Sequence, residues 1–121
     1  MSLLAFVLAL ASSTQSDEPR KLSAAELRKT LPGTFIEEVL PAYMRMEPYP
    51  ERFDEDGSYT RYGDNEERVG RYWIKGNRFC VVAEHTPRHC RHLFVDAQGR
   101  FWMSEPRNST GLQRITIKPT H

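Results

Sequence analysis

The chain has 121 residues, with 17 Lys or Arg against 16 Asp or Glu, a formal charge of +1, and 39% hydrophobic residues. That length makes one domain, and the composition excludes a disordered tail, a collagen-like repeat and a helical membrane bundle. A charge this close to zero also argues against nucleic acid as a partner, because a polyanion is attracted by a strong positive field.

Residues 1–16 contain no ionisable side chain, and Leu3 to Leu10 is an apolar run followed by Ala11, Ser12 and Ser13. This pattern predicts a secretory signal peptide over 1–11, with Ala9-Leu10-Ala11 as its small-x-small cleavage signal. A spanning helix needs roughly 20 apolar residues, and the polar stretch Thr14 to Glu18 ends the run before that. The protein is therefore not expected to be integral to a membrane. Residues 12–21, polar and containing Pro19, are expected to form a flexible leader, and 22–121 a single β-rich domain in the periplasm or outside the cell. In such an oxidising place Cys80 and Cys90 are expected to pair. Closing so short a loop stabilises by about 2.5 to 3 kcal/mol. In a cytosolic protein the same two residues would read as buried free thiols.

Ser23 followed by Glu26 is a capping box, and Ala24, Ala25, Leu27 and Lys29 favour a two-turn helix that Pro32-Gly33 stops. Beyond Thr34 the sequence changes to short alternating runs rich in aromatic and β-branched residues. Strands are expected near 34–39, 43–47, 51–54, 58–62, 69–75, 78–84, 91–95, 100–104 and 112–117. Asp56-Gly57 and Gly76-Asn77 are two-residue hairpin signals, and Ala97-Gln98-Gly99 is a third reversal. Period-two parity leaves 69–75 open, with Val69, Arg71, Trp73 and Lys75 on one side and Gly70, Tyr72 and Ile74 on the other. In 78–84 both sides are apolar, which predicts a strand covered on two faces, the helix being one cover. Pro41, Pro48 and Pro50 place the 41–50 stretch at an edge. Consecutive hairpins of this size predict a mainly β fold: a small antiparallel meander, a closed or half-open barrel, with one short N-terminal helix and one disulfide.

The order Leu22-Ser23-Ala24-Ala25-Glu26-Leu27, Pro32-Gly33-Thr34, Phe53-Asp54-Glu55-Asp56-Gly57-Ser58-Tyr59, then Gly70-Arg71-Tyr72-Trp73 through Phe79-Cys80 and Cys90, resembles a family of small exported bacterial proteins of unknown function. The resemblance spans roughly 22–104. It implies a periplasmic β-rich fold and carries no catalytic residue over. Two features depart from the family's pattern: an acidic stretch expected as a long loop, Asp64-Asn65-Glu66-Glu67, and three histidines around the second cysteine.

Those histidines, His85, His89 and His92, with Cys90, have the chemistry of zinc ligands. On an extended strand, however, His89 and His92 face opposite ways and His85 lies about 13 Å from His89; only a loop, as Pro87-Arg88 suggests, would gather them. Asp54-Glu55-Asp56-Gly57 has the texture of a calcium loop but puts Tyr59 at the glycine position and Asn65 at the bidentate one. No nucleophile elbow or glycine-rich phosphate loop is present, so neither an enzyme nor a cofactor is expected. Asn108-Ser109-Thr110 matches a glycosylation acceptor, incidental in a bacterial chain.

Charge is distributed unevenly. Residues 17–67 hold 13 acids and 7 bases, whereas 68–118 hold 10 bases and 3 acids. Arg71, Lys75, Arg78, Arg88, Arg91, Arg100, Arg107 and Arg114 are thus candidates for a basic face, joined by Trp102, that attracts an anionic envelope component or an acidic protein; the opposing expectation is that the two halves neutralise each other across strands. Tyr72, Trp73, Phe79, Phe94, Phe101 and Trp102 are expected mainly in the core. The expected function is an exported, non-catalytic β-domain with a binding or structural role at the envelope. The alternatives are a periplasmic inhibitor of a lysozyme or protease, acting through a rigid 85–89 loop, and a metal-binding module; the first is an analogy at the level of fold.

Overall fold

The computed structural model describes residues 18–45, 48–105 and 108–121, with backbone only at 105 and 108–110. The expected signal peptide, most of the expected leader and Arg107 lie outside these residues. Among the described residues no helix is long and apolar enough to cross a membrane.

Helix α1 (Ala24–Thr30) starts where the capping box places it. The Ser23 hydroxyl accepts from the Glu26 N–H, and the Glu26 carboxylate accepts from the Ser23 N–H. Arg20 grips the same carboxylate with two nitrogens and, with the Ser23 N–H, pulls its pKa down to about 2. Two turns do not hold by themselves. What holds them is the complete burial of Leu27 and Leu31 among the residues of the sheet.

Ten strands form one antiparallel sheet: β1 (Arg20–Lys21), β2 (Thr34–Glu38), β3 (Glu51–Phe53), β4 (Ser58–Gly63), β5 (Glu66–Lys75), β6 (Arg78–Ala83), β7 (Thr86–Arg91), β8 (Leu93–Val95), β9 (Phe101–Glu105) and β10 (Asn108–Pro119). Their order is β1-β8-β9-β10-β2-β3-β4-β5-β6-β7. β7 ends the sheet and β8 lies one strand from its other end, yet His92 alone separates them in the chain. The sheet must therefore curl until these ends meet. His92 makes the junction: its N–H donates to the Ser104 hydroxyl at 2.8 Å, and its carbonyl accepts from the Ser104 N–H at 3.1 Å. The result is the expected mainly β meander, curled into a half-barrel with one helix and one disulfide.

Inside, the register sets out two rows. Thr34, Phe53, Tyr59 and Gly70 lie abreast across β2–β5, and two residues along lie Ile36, Glu51, Arg61 and Arg68. The first row leads into the core, where the Phe53 ring meets Tyr59, Tyr72 and Phe79 at centroid distances of 5.1 to 5.6 Å. The second row turns charged, so the barrel has an apolar end plugged by α1 and a polar open end. Gly70 settles the parity of β5: a Cβ there would lie 1.8 Å from the Val82 carbonyl oxygen, so only glycine lets β5 and β6 approach. Tyr72 and Ile74 consequently face in, and Arg71, Trp73 and Lys75 face out.

Several elements differ from expectation. Residues 42–44 form a 3₁₀ turn instead of opening a strand over 43–47, of which 46 and 47 lie outside the described residues; Pro41 and the left-handed Arg45 bound it. The acidic stretch is a tight hairpin whose two-residue turn, Asp64-Asn65, has Asn65 at φ 58°, with Glu66 and Glu67 already in β5. The 85–89 segment is hairpin and strand as well. It tolerates Pro87 because β7 is terminal in the sheet order and needs no donor on its free side. The reversal before β4 spans Asp54–Gly57, four residues where two were expected. Pairing begins earlier than Leu22, since Arg20 and Lys21 lie against Val95 and Phe94. Helix α1 is one of the two covers of β6, as expected, and it lies on the inner face, so the outer face is covered otherwise.

Candidate functional site

That outer side is covered by sulfur and arginine. Cys80 on β6 and Cys90 on β7 are directly opposed, and their disulfide bridges the two strands. Trp73 on β5 is opposite Cys80, giving an outward row of indole and disulfide. Arg71, two residues along β5, and Arg88, two residues before Cys90, both bring their guanidiniums to 6.0 Å from the Trp73 ring centroid. With Val82 these side chains line a shallow groove of about 500 Å³. Neither arginine has a carboxylate partner among the described residues. Two fixed positive charges beside an indole form a surface for an anion that also offers apolar or planar groups.

The face continues along the chain. Beyond Cys90 the His92 ring meets Phe94 at 6.4 Å and its Nδ1 lies 3.1 Å from the Asn77 carbonyl oxygen. Lys21 stands over Phe94 at 5.9 Å, and Phe94, Trp102 and Arg114 are abreast on β8, β9 and β10. Trp73, Phe94 and Trp102 are only half-buried. They are thus outward aromatics rather than the core residues expected from composition, while Tyr72 and Phe79 are buried as expected.

The other members of the predicted basic set divide. Lys75 and Arg78 oppose each other beside the β5–β6 turn and are exposed. Arg100 is held by Asp96 at 2.8 Å, and the Trp102 indole N–H donates to the same oxygen at 2.9 Å. Burial opposes the charge of Asp96, but the donors of Trp102, Arg100 and Gln98 outweigh it and hold the carboxyl far below its ordinary value. Arg100 and Trp102 therefore secure the 96–100 turn as well as standing at the surface. Arg91 does not belong to the face at all. Its parity places it inside, at 4% exposure.

Inside, Arg91 grips both oxygens of Glu51, lies 5.0 Å from the Phe79 ring centroid and reaches the Met103 sulfur at 3.3 Å. Tyr59 donates to Glu51 Oε2 at 2.9 Å. Burial raises the pKa of Glu51, but Arg91 and the Tyr59 hydroxyl prevail and leave it below its ordinary value; burial and the nearby Glu51 charge push Tyr59 up. Around this pair a cavity of about 530 Å³ opens at the polar end. Its lining includes Glu38, Arg61, Arg68, Thr86, His85 and His89. His85 and His89 thus share a cavity, while His92 faces out across the sheet. No three His, Cys, Asp or Glu among the described residues stand where they could hold a metal ion together.

Glu51, Tyr59, Arg61 and Arg68 were not singled out as site residues from sequence. A signal for them exists: Glu51 is two residues from Phe53, Arg61 two from Tyr59, and Arg91 two from Leu93, so each charge sits on the parity of a core residue. The chain matches no family model, no curated protein and no solved structure.

Proposed function

We propose that this protein is an exported, non-catalytic β-domain that binds an anionic component of the cell envelope through the outer face of β5–β7. The observation that carries this reading is the placement of Arg71 and Arg88 beside Trp73 without carboxylate partners among the described residues. The disulfide beneath them is in keeping with export to an oxidising compartment. It also stiffens the platform, so little ordering is lost when a partner docks.

Pull-down from an envelope extract with the purified protein tests this. Capture at low ionic strength should be released by about 0.5 M NaCl, where the screening length falls to a few ångströms. The Arg71→Gln/Arg88→Gln double variant should lose capture while its melting temperature stays unchanged. Capture that ignores both salt and the double substitution would overturn the reading.

A further inference from the structure

The open end of the half-barrel carries charges that the outer face does not use. Glu51, Arg61 and Arg68 stand abreast on β3, β4 and β5, all on the inner side. Glu51 is committed to Arg91 and Tyr59. Arg68 leans on Glu66 at 3.2 Å. Arg61 has no ion pair among the described residues, is exposed toward the opening, and is directly opposed to Arg68. Like charges facing each other across a ladder destabilise it; Glu51, opposed to Arg61 on its other side, and Glu66 beside Arg68 offset part of that cost, and an anion lodged between the two guanidiniums offsets more.

We propose that this cavity binds a small polyhydroxylated carboxylate, a sugar acid in chemical class, with Arg61 and Arg68 on its carboxylate and Glu38, Thr86 and His89 on its hydroxyls. The guanidinium fork matches a carboxylate in shape as well as charge. The Glu38 and Glu51 carboxylates on the wall can only accept, so a ligand lying against them must bring donors, which hydroxyls do. His89 is held below its ordinary pKa by burial and by Arg91, and a neutral imidazole both donates and accepts. The volume is that of a small-molecule site rather than of a polymer groove. This site is distinct from the outer face, and each can fail without the other.

Isothermal titration of the intact protein with D-glucuronate, D-glucose and acetate tests the proposal, with amide chemical-shift mapping to locate the ligand. Glucuronate should bind saturably and shift Thr86 and His89, with glucose and acetate each weaker by about tenfold or more because each lacks one half of the recognition. Arg61→Gln should weaken glucuronate by about tenfold or more, Arg68→Gln should weaken it also, and the Arg71→Gln/Arg88→Gln variant should bind as the unaltered protein does. The proposal is overturned if glucuronate gives no saturable signal up to about 20 mM, if acetate binds equally well, or if Arg61→Gln leaves the affinity unchanged.

Discussion

Arg88 and Arg91 stand three residues apart on one strand and live in different worlds. Arg88 faces out beside an indole, in water, with no carboxylate partner among the described residues; Arg91 faces in, at 4% exposure, gripped by Glu51 and packed on Phe79. The difference follows from the pleat, which sends alternate side chains to opposite sides of the sheet. Its energetic meaning is larger than its geometry. A guanidinium in water costs the fold nothing when it waits for a partner, whereas one taken out of water must bring its counter-charge along. The inner charge is therefore committed to the fold, and the outer one remains available for binding.

The strongest way to break this contrast is Glu51→Gln, which takes the gripping carboxylate charge away from the buried Arg91. We expect a loss of about 3 to 5 kcal/mol in urea unfolding, against no more than about 0.5 kcal/mol for Arg88→Gln. Equal small losses would show that water reaches Arg91 and that the two arginines do not differ. The disulfide sharpens the contrast next, because it joins the two strands that carry both faces. Cys80→Ser with Cys90→Ser should cost about 2.5 to 3 kcal/mol, and should weaken capture by the outer face as the Trp73 platform loosens. Unchanged stability after full reduction would mean that the ladder between β6 and β7 already holds the hairpin shut.

The smallest expected effect concerns pH. His89 is held below its ordinary 6.5 by burial and by Arg91. On acidification the unfolded chain takes up this proton before the folded one does. The group's contribution is therefore fully present above about pH 7 and is lost progressively as the pH falls through about 6.5 toward the folded value. His89→Gln should flatten the urea midpoint between about pH 7 and 5. A slope identical to that of the unaltered protein would place His89 in water, on the outer side of the contrast. Glu51 and Glu26, both held below the ordinary carboxylate value, act at lower pH, where their stabilisation is lost as they protonate.

Much of the architecture was legible because it rests on local chemistry. The capping box at Ser23 and Glu26, the stop at Pro32-Gly33, the Gly76-Asn77 hairpin and the opposed cysteines need only neighbours in sequence, and all are where the residues place them. Pro87 misled, since a proline reads as a loop unless the strand is known to be terminal. Of the candidate site, Arg71 and Arg88 were named from charge alone. Nothing in the sequence said that both would converge on Trp73, or that Arg91 would leave them.

The sequence by itself determined the β character, the helix boundaries, the cysteine pairing and the surplus of arginine in the second half, because propensity, turn chemistry and charge count belong to short stretches of chain. Only the tertiary structure decided which parity of β5 is inside, how ten strands curl into a half-barrel across the one-residue link at His92, and which arginines meet a carboxylate. Those outcomes depend on pairing between strands up to about 80 residues apart, such as β10 with β2. Alternation within a strand fixes that two faces exist, and only the strand laid beside it fixes which one is dry.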